Sequence, residues 1–234
     1  MKMSNLSNKT AAIVLAAGVG SRMGGDKTKQ TIEIAGKSIL KHALLAFDDA
    51  NTIDDIIIVC RESEVDFVNK ELQGITKHTR VVIGGKCRAE SAFRGFSAVA
   101  SDVGYILIHD AARCLITPGE IDRVATACYD FGAATASVPV SDTVKRCDGM
   151  KIIETVPRND LRLMQTPQAF SREIYAKAIE NALVLDETVT DDNMLVENIG
   201  VFPCCVDTLP TNIKITTSYD LELAEFILSK RKGI

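Results

Sequence analysis

The stretch Ile13 to Gln30, IVLAAGVGSRMGGDKTKQ, places Gly18, Gly20, Arg22, Gly24, Lys27 and Lys29 directly after a short apolar run. Small residues at Ala16, Ala17, Gly18 and Gly20 let backbone N–H groups come close to an anion or a flat base. Arg22 can fork onto phosphate oxygens, and Lys29 adds a compact charge a few residues later. These residue types suit phosphate binding. Their spacing excludes the two commonest phosphate loops. The glycines at 18, 20 and 24 read G-x-G-x-x-x-G, too long for the dinucleotide fingerprint, and the first acid after the second apolar run, Glu62, comes too late for a ribose contact. Gly20 and Gly25 have the Walker gap, but Asp26 stands where that loop needs lysine. For the glycines alone, a tight turn with solvent-facing charges is an equal account.

The elements that would carry such a loop follow from hydrophobic pattern. Short β-branched runs at 11–17, 53–60, 79–85, 105–112 and 133–140 alternate with helical spacing at 37–50, 89–100 and 118–132. Pro118 near the first turn and Gly132 after the last bound the third helix. This alternation predicts an α/β fold: a Rossmann-like, mostly parallel sheet with helices on both faces, forming a single domain over 1–234. Ligands of such sheets bind beyond the carboxyl ends of the strands. Polar clusters at 18–30, 84–91, 109–113 and 140–146 lie at those ends. Residues 141–170 break the pattern. They alternate like a hairpin with CDGM as its turn and predict a protruding β-arm, whose apolar face a second subunit would cover. After 171 the βα style resumes, with a helix near 172–184, the runs VFPCCVD and TNIKITT, and a final helix at 218–230.

The 234 residues are 46% hydrophobic and 25% charged, with a net charge of -4. That balance offers no general attraction to nucleic acid or to a membrane surface, so an anionic ligand must meet local cations. No run approaches the roughly 20 apolar residues that span a bilayer. The polar start, MKMSNLSNKT, lacks the apolar centre of a secretory signal, and the seven cysteines form no CxxC pair, so reduced thiols in a cytoplasm are expected.

Taken with its neighbours, the glycine loop resembles the signature of the nucleotidyltransferases that activate phosphorylated sugars and polyols. GGKCRAESA (84–92), HDAAR (109–113), PVSDTVKR (139–146), QTPQAF (165–170), TDD (190–192) and NIKIT (212–216) then occur in the order of the 2-C-methyl-D-erythritol 4-phosphate cytidylyltransferases. The resemblance spans residues 11 to 230. It implies transfer of a cytidylyl group from CTP to the polyol phosphate, with release of pyrophosphate, in non-mevalonate isoprenoid biosynthesis. The attacking phosphate oxygen is already anionic at neutral pH, so alignment and charge neutralisation must supply the catalysis.

By the same resemblance, Arg22, Lys29 and Lys214 are the catalytic cations at the phosphates. Asp110 matches the family's Mg²⁺ ligand; a helix cap is the plainer account of that residue. Ala16, Ala17, Gly18, Gly20, Gly84, Gly85 and Ser91 would surround the nucleotide. Arg113, Thr143, Lys145, Arg158, Thr166 and Thr190 fall on the polyol-phosphate side, and the arm residues would enter the neighbouring subunit's site in a homodimer. His109 is expected to be structural, and Arg88 and Glu90 to pair with each other. The pattern is broken at three places: Thr28 and Cys114 replace usual prolines, and Lys86 and Cys87 replace a typically acidic pair. The rival readings are a ribitol 5-phosphate cytidylyltransferase of the same fold and a non-catalytic nucleotide-binding homologue.

Overall fold

The structure, a computed structural model, describes residues 7–18, 28–182 and 188–231. The chain opens with β1 (Ser7–Leu15), a short hairpin of β2 (Glu33–Ile34) and β3 (Lys37–Ser38), and α1 (Ile39–Asp48). Then follow β4 (Asp55–Cys60), α2 (Val65–Glu71), β5 (His78–Ile83), α3 (Arg88–Ser97), β6 (Val103–Asp110), α4 (Pro118–Phe131) and β7 (Ala133–Pro139). The second half holds β8 (Val144–Asp148), β9 (Lys151–Val156), β10 (Arg162–Ser171), α5 (Arg172–Asn181), α6 (Asp192–Glu197), β11 (Cys204–Asp207) and α7 (Ser218–Arg231).

The central sheet runs β11-β7-β10-β6-β1-β4-β5. Every neighbouring pair is parallel except those of β10, which is antiparallel to both β6 and β7. The inner parallel strands β1, β4 and β6 are buried on both faces, as their apolar runs require, whereas the edge strands β5 and β11 are partly exposed. Along β1, Ala12 and Val14 face a core shared with Leu40, Phe47 and Val124, while Ala11 and Ile13 face a second core with Ile106, Phe170 and Tyr175. A third cluster joins α1 and α7 through Ile39, Ala43, Ala224 and Leu228. Cys114 is buried in that cluster, where burial pushes its thiol up to about 12, so it acts as an apolar filler in place of proline.

Local chemistry sets the ends of the elements that carry the site. Thr117 and Glu120 form a reciprocal capping box at the start of α4, Pro118 occupies its first turn, and Gly132 ends it at φ +79°. On α3, Gly95 allows close contact with the sheet: an added Cβ would lie 2.5 Å from Ile13 Cγ2.

Two expectations need correction, and one element was not anticipated. The hairpin is shorter than 141–170: β8 and β9 form it, with Gly149 in its turn, whereas residues 162–171 return to the central sheet as β10. Alternation alone cannot separate a solvated hairpin from an antiparallel strand inserted into a parallel sheet. The NIKIT stretch forms no ladder and is an extended loop. Helix α6 was not expected from its short apolar content.

Candidate active site

Beyond the carboxyl ends of β1, β5 and β6 lies a cavity of about 300 Å³. Ala17, Gly18, Lys29, Gly85, Ser91, Asp110 and Lys214, all selected from sequence, line it. Leu15, Gln30, Lys86, Cys87, Arg88 and Ala112 complete the described wall. Four cations, Lys29, Lys86, Arg88 and Lys214, face one carboxylate there. A chain of net charge -4 has thus concentrated positive charge where a polyanion would bind.

Backbone hydrogen bonds fix the loops of this wall. Ala16 N–H donates to Val59 O, and Arg61 Nε donates to the Ala17 carbonyl at 3.1 Å. Gly84 N–H donates to Cys60 O, and a Cβ at Gly84 would come within 2.7 Å of Ala17 Cβ, so glycine permits the two loops to meet. Ser91 Oγ accepts from Gly85 N–H at 3.0 Å and donates to Cys87 O at 2.9 Å. Its hydroxyl shapes the Gly85–Cys87 turn. Ala16 is buried beneath the wall within the apolar core.

Asp110 is the last residue of β6. Its Oδ1 accepts from Arg88 Nε at 3.1 Å and its Oδ2 from Lys214 Nζ at 2.7 Å. Burial alone would raise this carboxyl, but the Arg88 and Lys214 charges outweigh it and hold Asp110 well below the usual carboxylate range. Arg88 continues to Asp192, and Glu90 pairs instead with Arg94, so the expected Arg88–Glu90 pair is replaced by two separate ones. Helical spacing favours Glu90 with Arg94, four residues on; the reach of Arg88 across two loops was not visible locally.

The loop carrying Lys214 is tied to the Asp110 turn. Ile215 N–H donates to Ala112 O at 2.9 Å, Arg113 Nη1 donates to Asn212 O at 3.0 Å, and Lys29 Nζ donates to Ile215 O at 3.3 Å. These bonds place both lysines on the same wall although they lie far apart in sequence. Gln30 lines the cavity too, and its buried Oε1 has no partner among the described residues.

His109 is fully buried, and burial pushes its imidazole down to about 4. Its Nε2 faces the Arg113 carbonyl, which can only accept, so Nε2 carries the proton. Nδ1 then accepts from the Thr166 hydroxyl at 3.0 Å, and that hydroxyl accepts from Asp110 N–H at 3.1 Å. His109 and Thr166 thereby lock the turn behind Asp110, and Thr166 is buried rather than at the cavity.

The remaining candidates are distributed as follows. Arg113 holds the Asn212 and Met164 carbonyls and does not line the cavity. Thr143, Lys145 and Arg158 lie on or beside the hairpin, where Lys145 donates to Thr155 Oγ1 and Arg158 to Ser141 O. Thr190 contacts Met194 Sδ. None of these lines the cavity of its own chain. Gly20 and Arg22 lie outside the described residues.

The model of the IspD family, 2-C-methyl-D-erythritol 4-phosphate cytidylyltransferase, matches residues 10–230. The enzyme of that name from Alkaliphilus oremlandii is 39% identical over 98% of this chain and 99% of its own. The one from Pelotomaculum thermopropionicum is also 39% identical, over 97% of each chain. Among solved structures, 4-diphosphocytidyl-2C-methyl-D-erythritol synthase from Anaerococcus prevotii superposes with a TM-score of 0.85 at 30% identity, covering 96% of this chain and 98% of its own. With the family's motifs in order along nearly the whole chain and its sheet in place, the chain belongs to the 2-C-methyl-D-erythritol 4-phosphate cytidylyltransferase family.

Proposed function

We propose that the chain transfers the cytidylyl group of CTP to 2-C-methyl-D-erythritol 4-phosphate, giving 4-diphosphocytidyl-2-C-methyl-D-erythritol and pyrophosphate in isoprenoid biosynthesis. The observation that carries this reading is the convergence of Lys29 and Lys214 with Asp110 on one cavity at the strand ends, in a chain of this family.

The substrate phosphate attacks the α-phosphate of CTP, and the α–β bridging oxygen leaves with pyrophosphate. The nucleophile needs no base, which agrees with a buried, neutral His109 that does not reach the cavity. Lys29 and Lys214 neutralise charge that grows on the phosphate oxygens in the transition state, where preorganised donors act most strongly. To reach the phosphates, Lys214 exchanges its bond to Asp110 for bonds to the nucleotide. Arg22 serves as a further phosphate cation. Gly18, Gly85 and the turn held by Ser91 seat the nucleotide.

Asp110 suits Mg²⁺: one carboxylate on the cavity wall, held ionised, with substrate phosphates as the other ligands, is the usual composition of such a site. The ion would supply charge neutralisation at the triphosphate. Thr143, Lys145 and Arg158 act from the hairpin of a second subunit in a homodimer. Support comes from Met150, Ile152 and Ile153, large apolar side chains left exposed on that hairpin. A cytoplasmic location fits free cysteines, and no helix among the described residues is long and apolar enough to cross a membrane.

The test is pyrophosphate release with Mg²⁺, CTP and 2-C-methyl-D-erythritol 4-phosphate, with UTP, ATP and ribitol 5-phosphate as controls. Release with the CTP–methylerythritol pair alone is expected. Release only with ribitol 5-phosphate would overturn the substrate, and CTP binding without release from any pair would overturn the activity.

A further inference from the structure

Two adjacent acids, Asp191 and Asp192, begin α6 and behave differently. Asp191 is the helix cap: its Oδ1 accepts from Met194 N–H at 3.2 Å and its Oδ2 from Gln168 Nε2 at 2.9 Å. Asp192 makes no cap. Its side chain is 1% exposed, its Oδ2 accepts from Arg88 Nη1 at 2.7 Å, and its Oδ1 accepts from the hydroxyl of fully buried Tyr175 at 2.7 Å. Its own N–H donates to Gln168 Oε1 at 2.9 Å. A residue fixed at both carboxylate oxygens and at its backbone N–H is thus aimed at an arginine of the cavity wall, while Asp192 itself does not line the cavity.

Arg88 stands between Asp192 and Asp110. Each carboxylate takes one nitrogen of its fork, Nη1 and Nε respectively, and Nη2 has no acceptor among the described residues. An arginine and a carboxylate alone prefer a bidentate pair with parallel bonds. Asp192 holds Nη1 while Lys214 takes the second oxygen of Asp110, so Arg88 holds Asp110 through a single bond and its plane is set from behind the wall. We propose that Asp192 is a positioning residue for nucleotide binding: by anchoring Arg88 from outside the cavity, it sets the guanidinium, and through it the Asp110 carboxylate, in the geometry that accepts CTP.

The plainer alternative is that Asp192 only offsets the burial of Arg88, since an unpaired buried charge is costly. That account predicts lost stability and unchanged CTP affinity in the folded protein. The proposal rests on the cytidylyltransferase reading, so the test separates the two.

CTP binding is measured by calorimetry, with Mg²⁺ and without polyol phosphate, on folded protein well below its unfolding temperature. Asp192→Asn and Arg88→Met should each weaken CTP on the order of tenfold, and the double variant should be no weaker than Arg88→Met alone, because the two act as one unit. Tyr175→Phe, which removes one hydroxyl from Asp192, should weaken CTP in the same direction by a smaller factor and covers the case in which Asp192→Asn fails to fold. Val124→Ala, in the core on the other face of the sheet, should lower stability and leave CTP affinity unchanged. In turnover, Asp192→Asn should raise KM for CTP and leave KM for the polyol phosphate in place. Wild-type CTP affinity in folded Asp192→Asn or in Tyr175→Phe, additive losses in the double variant, or an equal loss in Val124→Ala would overturn the positioning role. Failure of the wild-type chain to bind CTP would overturn the functional reading itself.

Discussion

Lys29 and Lys214 sit on one cavity because a loop hydrogen bond brings them together: Lys29 Nζ reaches the carbonyl of the residue after Lys214. In the proposed mechanism each is a single preorganised charge at a reaction that needs no proton transfer. Removing one such donor removes stabilisation present only in the transition state. Lys29→Ala and Lys214→Ala should therefore lower kcat by about 10²–10³-fold, measured as pyrophosphate release at saturating CTP. Near wild-type turnover in both would eliminate charge stabilisation by these lysines as the mechanism. Gly84 makes a different kind of prediction. A methyl group there meets Ala17 Cβ at 2.7 Å and Ser91 Oγ at 3.0 Å, so Gly84→Ala must push the β1 loop out of place. KM for CTP should rise by about an order of magnitude if this close approach shapes the nucleotide seat, on the scale of one or two kcal/mol of misfit; an unchanged KM with an intact fold would separate the glycine from nucleotide binding.

At the scale of elements, the departure at Thr28 turns out to be conformationally mild. Thr28 precedes the short 3₁₀ turn Lys29–Thr31 at φ -75°, which proline would also adopt. Its buried hydroxyl has no hydrogen-bond partner among the described residues. Thr28→Pro should therefore stabilise the chain by roughly 0.4–1 kcal/mol, mainly by restricting the unfolded state, with kcat retained; urea unfolding at constant m-value reads it. A net destabilisation would mean that the Thr28 N–H has a partner. The parts of the fold that were legible share one property: their information is local. The apolar runs of β1, β4 and β6, the Pro118 start of α4 and its Gly132 stop each act within a few residues. β10 was not legible because its place between β6 and β7 depends on long-range antiparallel pairing, while its residues alternate like those of the hairpin before it. The site divides the same way. Lys29, Asp110 and Lys214 could be found through motifs, whereas the Asp110–Arg88–Asp192 bridge joins the ends of three elements and has no sequence period.

For the whole molecule, the decisive feature is what one chain leaves unfinished. Of the groups assigned to the nucleotide, Ala17, Gly18, Gly85 and Ser91 line the cavity, yet Thr143, Lys145 and Arg158 are absent from its wall. They lie on or beside a hairpin whose Met150, Ile152 and Ile153 face solvent. Both facts agree with the proposed two-fold dimer, in which each hairpin would be covered by the partner and would deliver its polar residues there. That arrangement makes a quantitative prediction. Arg158→Ala and Lys29→Ala chains, each weak alone, would form mixed dimers with one site carrying both changes and the other carrying neither. Random exchange of equal amounts puts half the dimers in this class, so activity should recover to about a quarter of the wild-type level. Exchange is confirmed by tagging the two chains differently and isolating the doubly tagged species, which should then show about half of wild-type turnover. If the doubly tagged dimer is as inactive as its parents, Arg158 serves its own chain's site or none, and the shared site falls. If the chains never exchange because they are monomers at working concentration, the exposed hairpin residues have another role and the substrate side must be built within a single subunit.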